Sequence, residues 1–150
     1  LFVRISSVDG IEGGWTLEDS VTLAKELAAR GVDVVDCSSG GLLGSATAAR
    51  IKRNPGFQVP FAERIRKEAG VKTMAVGLIL DGPQAEQILQ DDQADLIAIG
   101  RQSLYNPNWA LHAQIALGAQ GEYDAWPVQY GWWLDKRQHI LTDEAKRKIA

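Results

Sequence analysis

Four short apolar runs, alternating with helical stripes, constrain this chain more than any other feature. The runs are LFVRISS (1–7), VDVVDCSS (32–39), KTMAVG (72–77) and ADLIAIG (94–100). The middles of the second and fourth are nearly continuous in apolar residues, as in strands covered on both faces. In 16–31, Leu17, Val21, Ala24 and Ala28 share one helical face. Thr16 stands at the cap position there, Glu18 and Asp19 fall in the first turn, and Gly31 follows the end. In 58–70 the stripe is Val59, Ala62, Ile65 and Ala69, closed by Gly70. Segment 82–90 puts Pro83 near a first helical position, with Ala85, Ile88 and Leu89 apolar. Segment 106–118 has Asn106 as its expected cap, Pro107 in the first turn and Gly118 as its stop. The order βαβαβαβα predicts parallel strands joined by right-handed crossovers.

Two α/β architectures accommodate that order: an open doubly wound sheet, and part of a TIM (β/α)8 barrel. Both place ligands beyond the C-terminal ends of the strands. No GxGxxG follows any of the four runs, which argues against a dinucleotide-binding sheet. Four units are half of an eight-stranded barrel, and such barrels usually need about 250 residues, against 150 here. The expected fold is therefore half a barrel over 1–118, followed by a tail over 119–150. The chain opens directly inside a strand at Leu1, so it is expected to be the C-terminal part of a longer protein. A four-stranded half leaves two open parallel edges unless another segment or chain covers them. Beyond Gly118 the pattern turns irregular, and only 142–150 reads as a short polar helix.

The net charge of −3 gives no reason to expect nucleic acid or an anionic membrane as partner. No apolar run approaches the ~20 residues of a membrane span, and no signal-peptide pattern opens the chain. The lone cysteine, Cys37, rules out an internal disulfide and fits a reducing cytoplasm.

The chemistry concentrates at the strand ends. The fourth run ends in Gly100-Arg101, the third in Gly77, and the second in Ser38-Ser39-Gly40-Gly41. Small residues there let backbone N–H groups approach an anion, and an arginine adds a planar charged fork. Each glycine alone reads as a turn residue. Together with Arg101, on a rim where barrels frequently hold phosphate, they point to a phosphate site. The connection from Gly40 to Gly56 is the longest between a strand and a helix, and its basic residues mark it as a functional loop. Arg4 lies mid-strand, and alternation sends it to one face with Ser6. A charge there needs an acidic neighbour or an anionic or electron-rich ligand. Cys37 reads as a buried thiol, and Asp36 and Asp95 as structural carboxylates. His112 and His139 have no partner at metal-ligand or triad spacing, and neither a metal motif nor a nucleophile elbow occurs.

The segments FVRISS, GVDVVDCSSGG, PGFQVPFAERIRKEAGVKTMAVGLI and ADLIAIGRQSLYNPNWA together resemble the C-terminal half of Old Yellow Enzyme-type flavoproteins. The bacterial thermophilic-like and xenobiotic-reductase-like members are the most similar, and the resemblance runs from Leu1 to about Arg137. It implies units five to eight of a TIM barrel with non-covalent FMN at the rim. NADPH or NADH would be the reductant, and activated C=C bonds of enones the hydride acceptors. Arg4 would contact the N1/C2-carbonyl edge of the flavin. Gly77, Gly100 and Arg101 would hold the phosphate, with Ser39 and Gly40 approaching from the neighbouring loop. WPVQYGWW resembles a tail that crosses a dimer interface, with Trp132 or Trp133 reaching the partner's substrate pocket. Core or interface packing is the plainer alternative for Trp126, Trp132 and Trp133. The substrate-anchoring histidine pair (or histidine and asparagine) and the proton-donating tyrosine belong to the N-terminal half in that family. No catalytic residue is therefore expected in this chain, and the N-terminal half and a homo-oligomer are its expected partners. Two rivals remain at this point: another phosphate-gripping barrel, flavin-dependent or not, and a half-barrel without activity of its own.

Overall fold

Strands β1 (Phe2–Ser6), β2 (Val34–Ser38), β3 (Lys72–Ala75) and β4 (Leu96–Ile97) pair in chain order, β1-β2-β3-β4, and every pair is parallel. They belong to a computed structural model that describes residues 1–40, 52–119, 121 and 123–149. Each described strand lies beside its predecessor, so the winding does not reverse among them, as it must at the switch point of a doubly wound sheet.

The register decides which side chains share a face. Arg4, Asp36, Met74 and Leu96 form one row across the sheet, and Ile5, Cys37, Ala75 and Ile97 form the next row on the opposite face. Val35, Cys37, Thr73 and Ala75 are fully buried. Helices cover that side: α1 (Leu17–Ala29) packs on α2 (Val59–Ala69), and α2 packs on β2 and β3. On the other side Phe2 and Leu96 remain exposed.

The local signals in α1 and α2 act as their chemistry requires. Thr16 and Asp19 form a capping box: Asp19 N–H donates to Thr16 Oγ1 at 3.2 Å and Thr16 N–H to Asp19 Oδ2 at 2.9 Å. Pro60 stands in the first turn of α2, and Gly70 closes it in the left-handed conformation at φ 66°. The β1–α1 loop is organised by buried Asp9, which accepts from the N–H groups of Trp15 (2.9 Å) and Ile11 (3.3 Å). Ser20 of α1 donates to the Ser7 carbonyl at 2.8 Å. Asp95 is structural, as its position suggested: its Oδ2 accepts from Thr73 N–H (2.8 Å) and from Arg66 Nε (3.1 Å), tying β3 to the start of β4.

Three elements differ from the sequence reading. Only Leu96 and Ile97 of the 94–100 run are strand, because Ala98 makes a last bond to Ala75 O at 2.8 Å and the chain then turns into a short helix, α4 (Arg101–Tyr105). The helix expected from Asn106 starts later, as α5 (Trp109–Ala116). Asn106 precedes a proline, which favours extended backbone; at φ −131° and ψ 92° it ends α4 instead of capping α5. From Val128 on the tail is not irregular, since α6 (Val128–Ile149) runs for 22 residues. Its aromatic cluster hides the helical period in the sequence. The exposed pair Lys148–Glu144, one turn apart at 3.0 Å, adds a little support.

Between β3 and β4 lies α3 (Gly82–Gln90), with Ala85 and Ile88 buried. The chain divides into two units, Leu1–Leu80 with Gln84–Pro107, and Asp81–Pro83 with Asn108–Ala150. No helix among the described residues is long and apolar enough to cross a membrane. Ile65 of α2 is fully buried in the first unit. Ile65→Ala is expected to lower the unfolding free energy by about 2–5 kcal/mol, read from the midpoint of urea denaturation.

Candidate functional site

The C-terminal ends of the strands open into one cleft of about 540 Å³ in the first unit. Ser38 and Ser39 contribute from the end of β2, Val76 to Leu80 from the end of β3, Ala98 to Gly100 from the end of β4, and Arg101 and Gln102 from α4. Arg4 reaches it from β1. Five of the six residues expected to bind a cofactor therefore line one cavity: Arg4, Ser39, Gly77, Gly100 and Arg101. Gly40 does not line it. Its N–H donates to Val8 O (2.8 Å) and its carbonyl accepts from Ser6 Oγ (3.0 Å), so it fixes the turn after β2 at φ 77°.

A buried glutamine ties the loops together. Ser39 Oγ donates to Gln58 Oε1 at 2.7 Å, and Gln58 Nε2 donates to the Val76 carbonyl at 3.1 Å. Gly77, at φ 120°, packs directly on this link. A Cβ there would lie 2.9 Å from Gln58 Nε2 and 3.0 Å from Phe57 Cε1, so the turn has no room for a side chain. Gly100 is different, because a Cβ built on it meets nothing within 4 Å. Its backbone faces open space.

Arg4 is held from two sides. Its Nη1 lies 3.3 Å from Asp36 Oδ2, and its Nε donates to Ser38 Oγ at 3.4 Å. The arginine side chain is nevertheless 60% exposed, so an acidic partner and an open approach to a ligand coexist. Burial raises the Asp36 carboxyl above its ordinary pKa, and the Arg4 charge opposes that rise.

Gln58, Phe57, Arg53 and Gln102 also line the cleft and were not singled out in the sequence. For Gln58 a cue existed: it occupies the N-cap of α2 without making a capping bond, where Ser, Thr, Asp or Asn prevails. Arg53 belongs to the basic connection 40–56, of which 41–51 lie outside the described residues.

The remaining reactive side chains are accounted for elsewhere. Cys37 is completely buried and its thiol is pushed up to about 12, mainly by burial and further by Asp36. Among the described residues no His, Cys, Asp and Glu cluster could hold a metal ion. In the second unit His112 stacks on Trp126 with centroids 5.4 Å apart. Trp132 and Trp133 are exposed on α6, meeting edge to face at 4.5 Å, with Lys136 Nζ 4.6 Å above the Trp132 ring.

Residues 1–120 match the family model described as NADH:flavin oxidoreductase / NADH oxidase family. Among curated relatives, the NADPH dehydrogenase of Halalkalibacterium halodurans is 49% identical over 131 residues, covering 84% of this chain and 38% of that protein. The NADPH dehydrogenase of Geobacillus thermodenitrificans is 49% identical over 134 residues, covering 88% of this chain and 37% of that protein. That of Listeria monocytogenes is 47% identical over 130 residues, covering 87% and 36%. The chain thus spans little more than a third of the length of the curated relatives it matches.

The state of Cys37 is directly measurable. A disulfide reagent at pH 8 is expected to leave the native thiol largely unmodified and to titrate it fully in denaturant. Its pKa is raised on folding from an ordinary 9.0 to about 12. The stability it contributes is therefore present below pH 9 and lost as pH rises toward 12.

Proposed function

The chain belongs to the NADH:flavin oxidoreductase / NADH oxidase family, and on that premise we propose that it is the FMN-binding C-terminal half of a TIM-barrel oxidoreductase that draws its electrons from NADPH. The observation that carries this reading is the single cleft shared by Arg4, Ser39, Gly77, Gly100 and Arg101. Its volume falls within the roughly 300–1,000 Å³ of small-molecule sites. It offers guanidinium groups for an anion, open backbone at Gly100, and apolar surface from Phe57, Leu78 and Ile79. That donor set fits a phosphorylated, planar, electron-poor ring.

In this reading Arg101 grips the phosphate with its planar fork, and Gly77 and Gly100 bring backbone close to it. Ser39, held by Gln58, closes the rim on the β2 side. Arg4 presents a fixed cation to the pyrimidine edge of the ring and so favours uptake of negative charge there. When bound, FMN supplies the hydride chemistry itself, accepting from a nicotinamide and donating to a second substrate. We assign that substrate to the activated alkenes, such as enones, in keeping with the Old Yellow Enzyme resemblance. The name NADPH dehydrogenase carried by the relatives supports NADPH as the reductant. Substrate-anchoring and proton-donating side chains would come from the N-terminal half of the barrel. The sequential strand order and the exposed Phe2 and Leu96 support a missing half on that side of the sheet. The exposed Trp132 and Trp133 support an oligomer through the tail, and the free Cys37 supports a cytoplasmic setting.

In the protein that carries this chain, Arg101→Ala is expected to weaken FMN binding about 10- to 150-fold, as loss of a charged hydrogen bond of about 1.5–3 kcal/mol requires. Leu104→Ala, at an exposed position outside the cleft, should leave the affinity unchanged. Flavin fluorescence titration reads both. A wild-type protein that holds no FMN, or an Arg101→Ala variant that binds it normally, would contradict the reading. NADPH consumption that responds to oxygen but never to an enone would remove the alkene assignment alone.

A further inference from the structure

Asp36 sits one strand from Arg4, at the position paired with it in the parallel register. The two ends of their ion pair differ in surroundings, since the aspartate side chain is 14% exposed and the arginine 60%. The second carboxylate oxygen, Oδ1, is buried and makes no hydrogen bond among the described residues. A half-satisfied buried carboxylate is costly to keep. Ser38 already anchors Arg4 through Nε, and Asp36 meets Nη1 as an ion pair at 3.3 Å. The hydrogen bond that holds the guanidinium thus comes from Ser38, not from position 36. What the charge adds is electrostatic: an anion largely shielded from solvent beside a cation that is open to the cleft.

We propose that Asp36 is a positioning residue that anchors Arg4 and offsets its charge, and so sets the reduction potential of the flavin held in the cleft. This inference rests on the FMN reading above. Hydride uptake brings two electrons and one proton, so the site holds one more negative charge afterwards than before. Arg4 favours that state and Asp36 disfavours it. The balance between them, not Arg4 alone, fixes how readily the cofactor is reduced by NADPH and how readily it passes hydride on.

The test is the midpoint potential of the FMN-loaded protein, measured by dye-coupled spectroscopic titration. Asp36→Asn keeps the shape and leaves the Ser38 bond to Arg4 in place but removes the charge. It is expected to retain FMN and to raise the potential by at least a tenfold change in the two-electron equilibrium, about 30 mV. Arg4→Met should move it the opposite way, and Asp36→Glu should stay nearer to wild type than Asp36→Asn. A merely structural Asp36 would lower melting temperature or FMN affinity without moving the potential of the bound cofactor, and that result overturns the inference. If Asp36→Asn does not load, the smaller neutral Asp36→Ser carries the same prediction. Failure of both neutral variants to fold and load also overturns it, because Asp36 would then belong to the core. A wild-type protein that binds no FMN would instead remove the FMN reading, and this inference with it.

Discussion

The parallel register of the sheet is the constraint from which the rest follows. Side chains alternate along a strand, so a slip of one residue would send Val35, Cys37, Thr73 and Ala75 away from the helices and bring Asp36 and Met74 under them. The helix-facing row is small and fully buried, and it admits α2 close against β2 and β3. The same pairing puts Arg4 beside Asp36 and Ser6 beside Ser38. It also brings the ends of successive strands out on one side, where their loops can share a cleft. Hydrophobic burial on one face thus sets the placement of charge on the other.

The cleft itself is built from polar ties and absent side chains. Gln58 is buried with both ends of its amide partnered, accepting from Ser39 and donating to Val76. Two loops from different strands are locked through one amide, which also leaves no space for a side chain at Gly77. Gly100 has space to spare, so packing does not demand its small size. These two glycines look alike in the sequence, and only the structure separates them. Arg4 is braced in a comparable way by Asp36 and Ser38, with much of its guanidinium left for the cleft. Groups fixed before a ligand arrives need not be reordered when it binds.

Much of this was legible in the sequence because the signals were local. The capping box of Thr16 and Asp19, Gly70 in the left-handed turn, and the Val59, Ala62 and Ile65 stripe each depend on neighbours within a few residues. The strand-end glycines and Arg101 were visible because so few residue types suit an anion-facing turn. Gln58 was not visible, since its partners Ser39 and Val76 lie 19 and 18 residues away. Nor was the Arg4–Asp36 pair, which exists only once two strands are in register. The cap at Asn106 failed because the proline after it forces extended backbone, and a local rule there met a stronger one. In α6, Gly131 lies against the turn before the helix. It is accommodated because a Cβ would lie 2.6 Å from the Tyr123 carbonyl, a closeness that glycine alone permits.

The central claim is that the strand-end cleft is a flavin mononucleotide site with its phosphate at Arg101 and its ring toward Arg4. A crystal structure of the FMN-loaded protein that carries this chain tests it most directly. The account predicts phosphate oxygens within hydrogen-bonding distance of Arg101 and of backbone N–H groups near Gly77 and Gly100, with a carbonyl edge of the ring against Arg4. A flavin bound outside this cleft, or one turned so that its phosphate meets Arg4 and its ring meets Arg101, would contradict it.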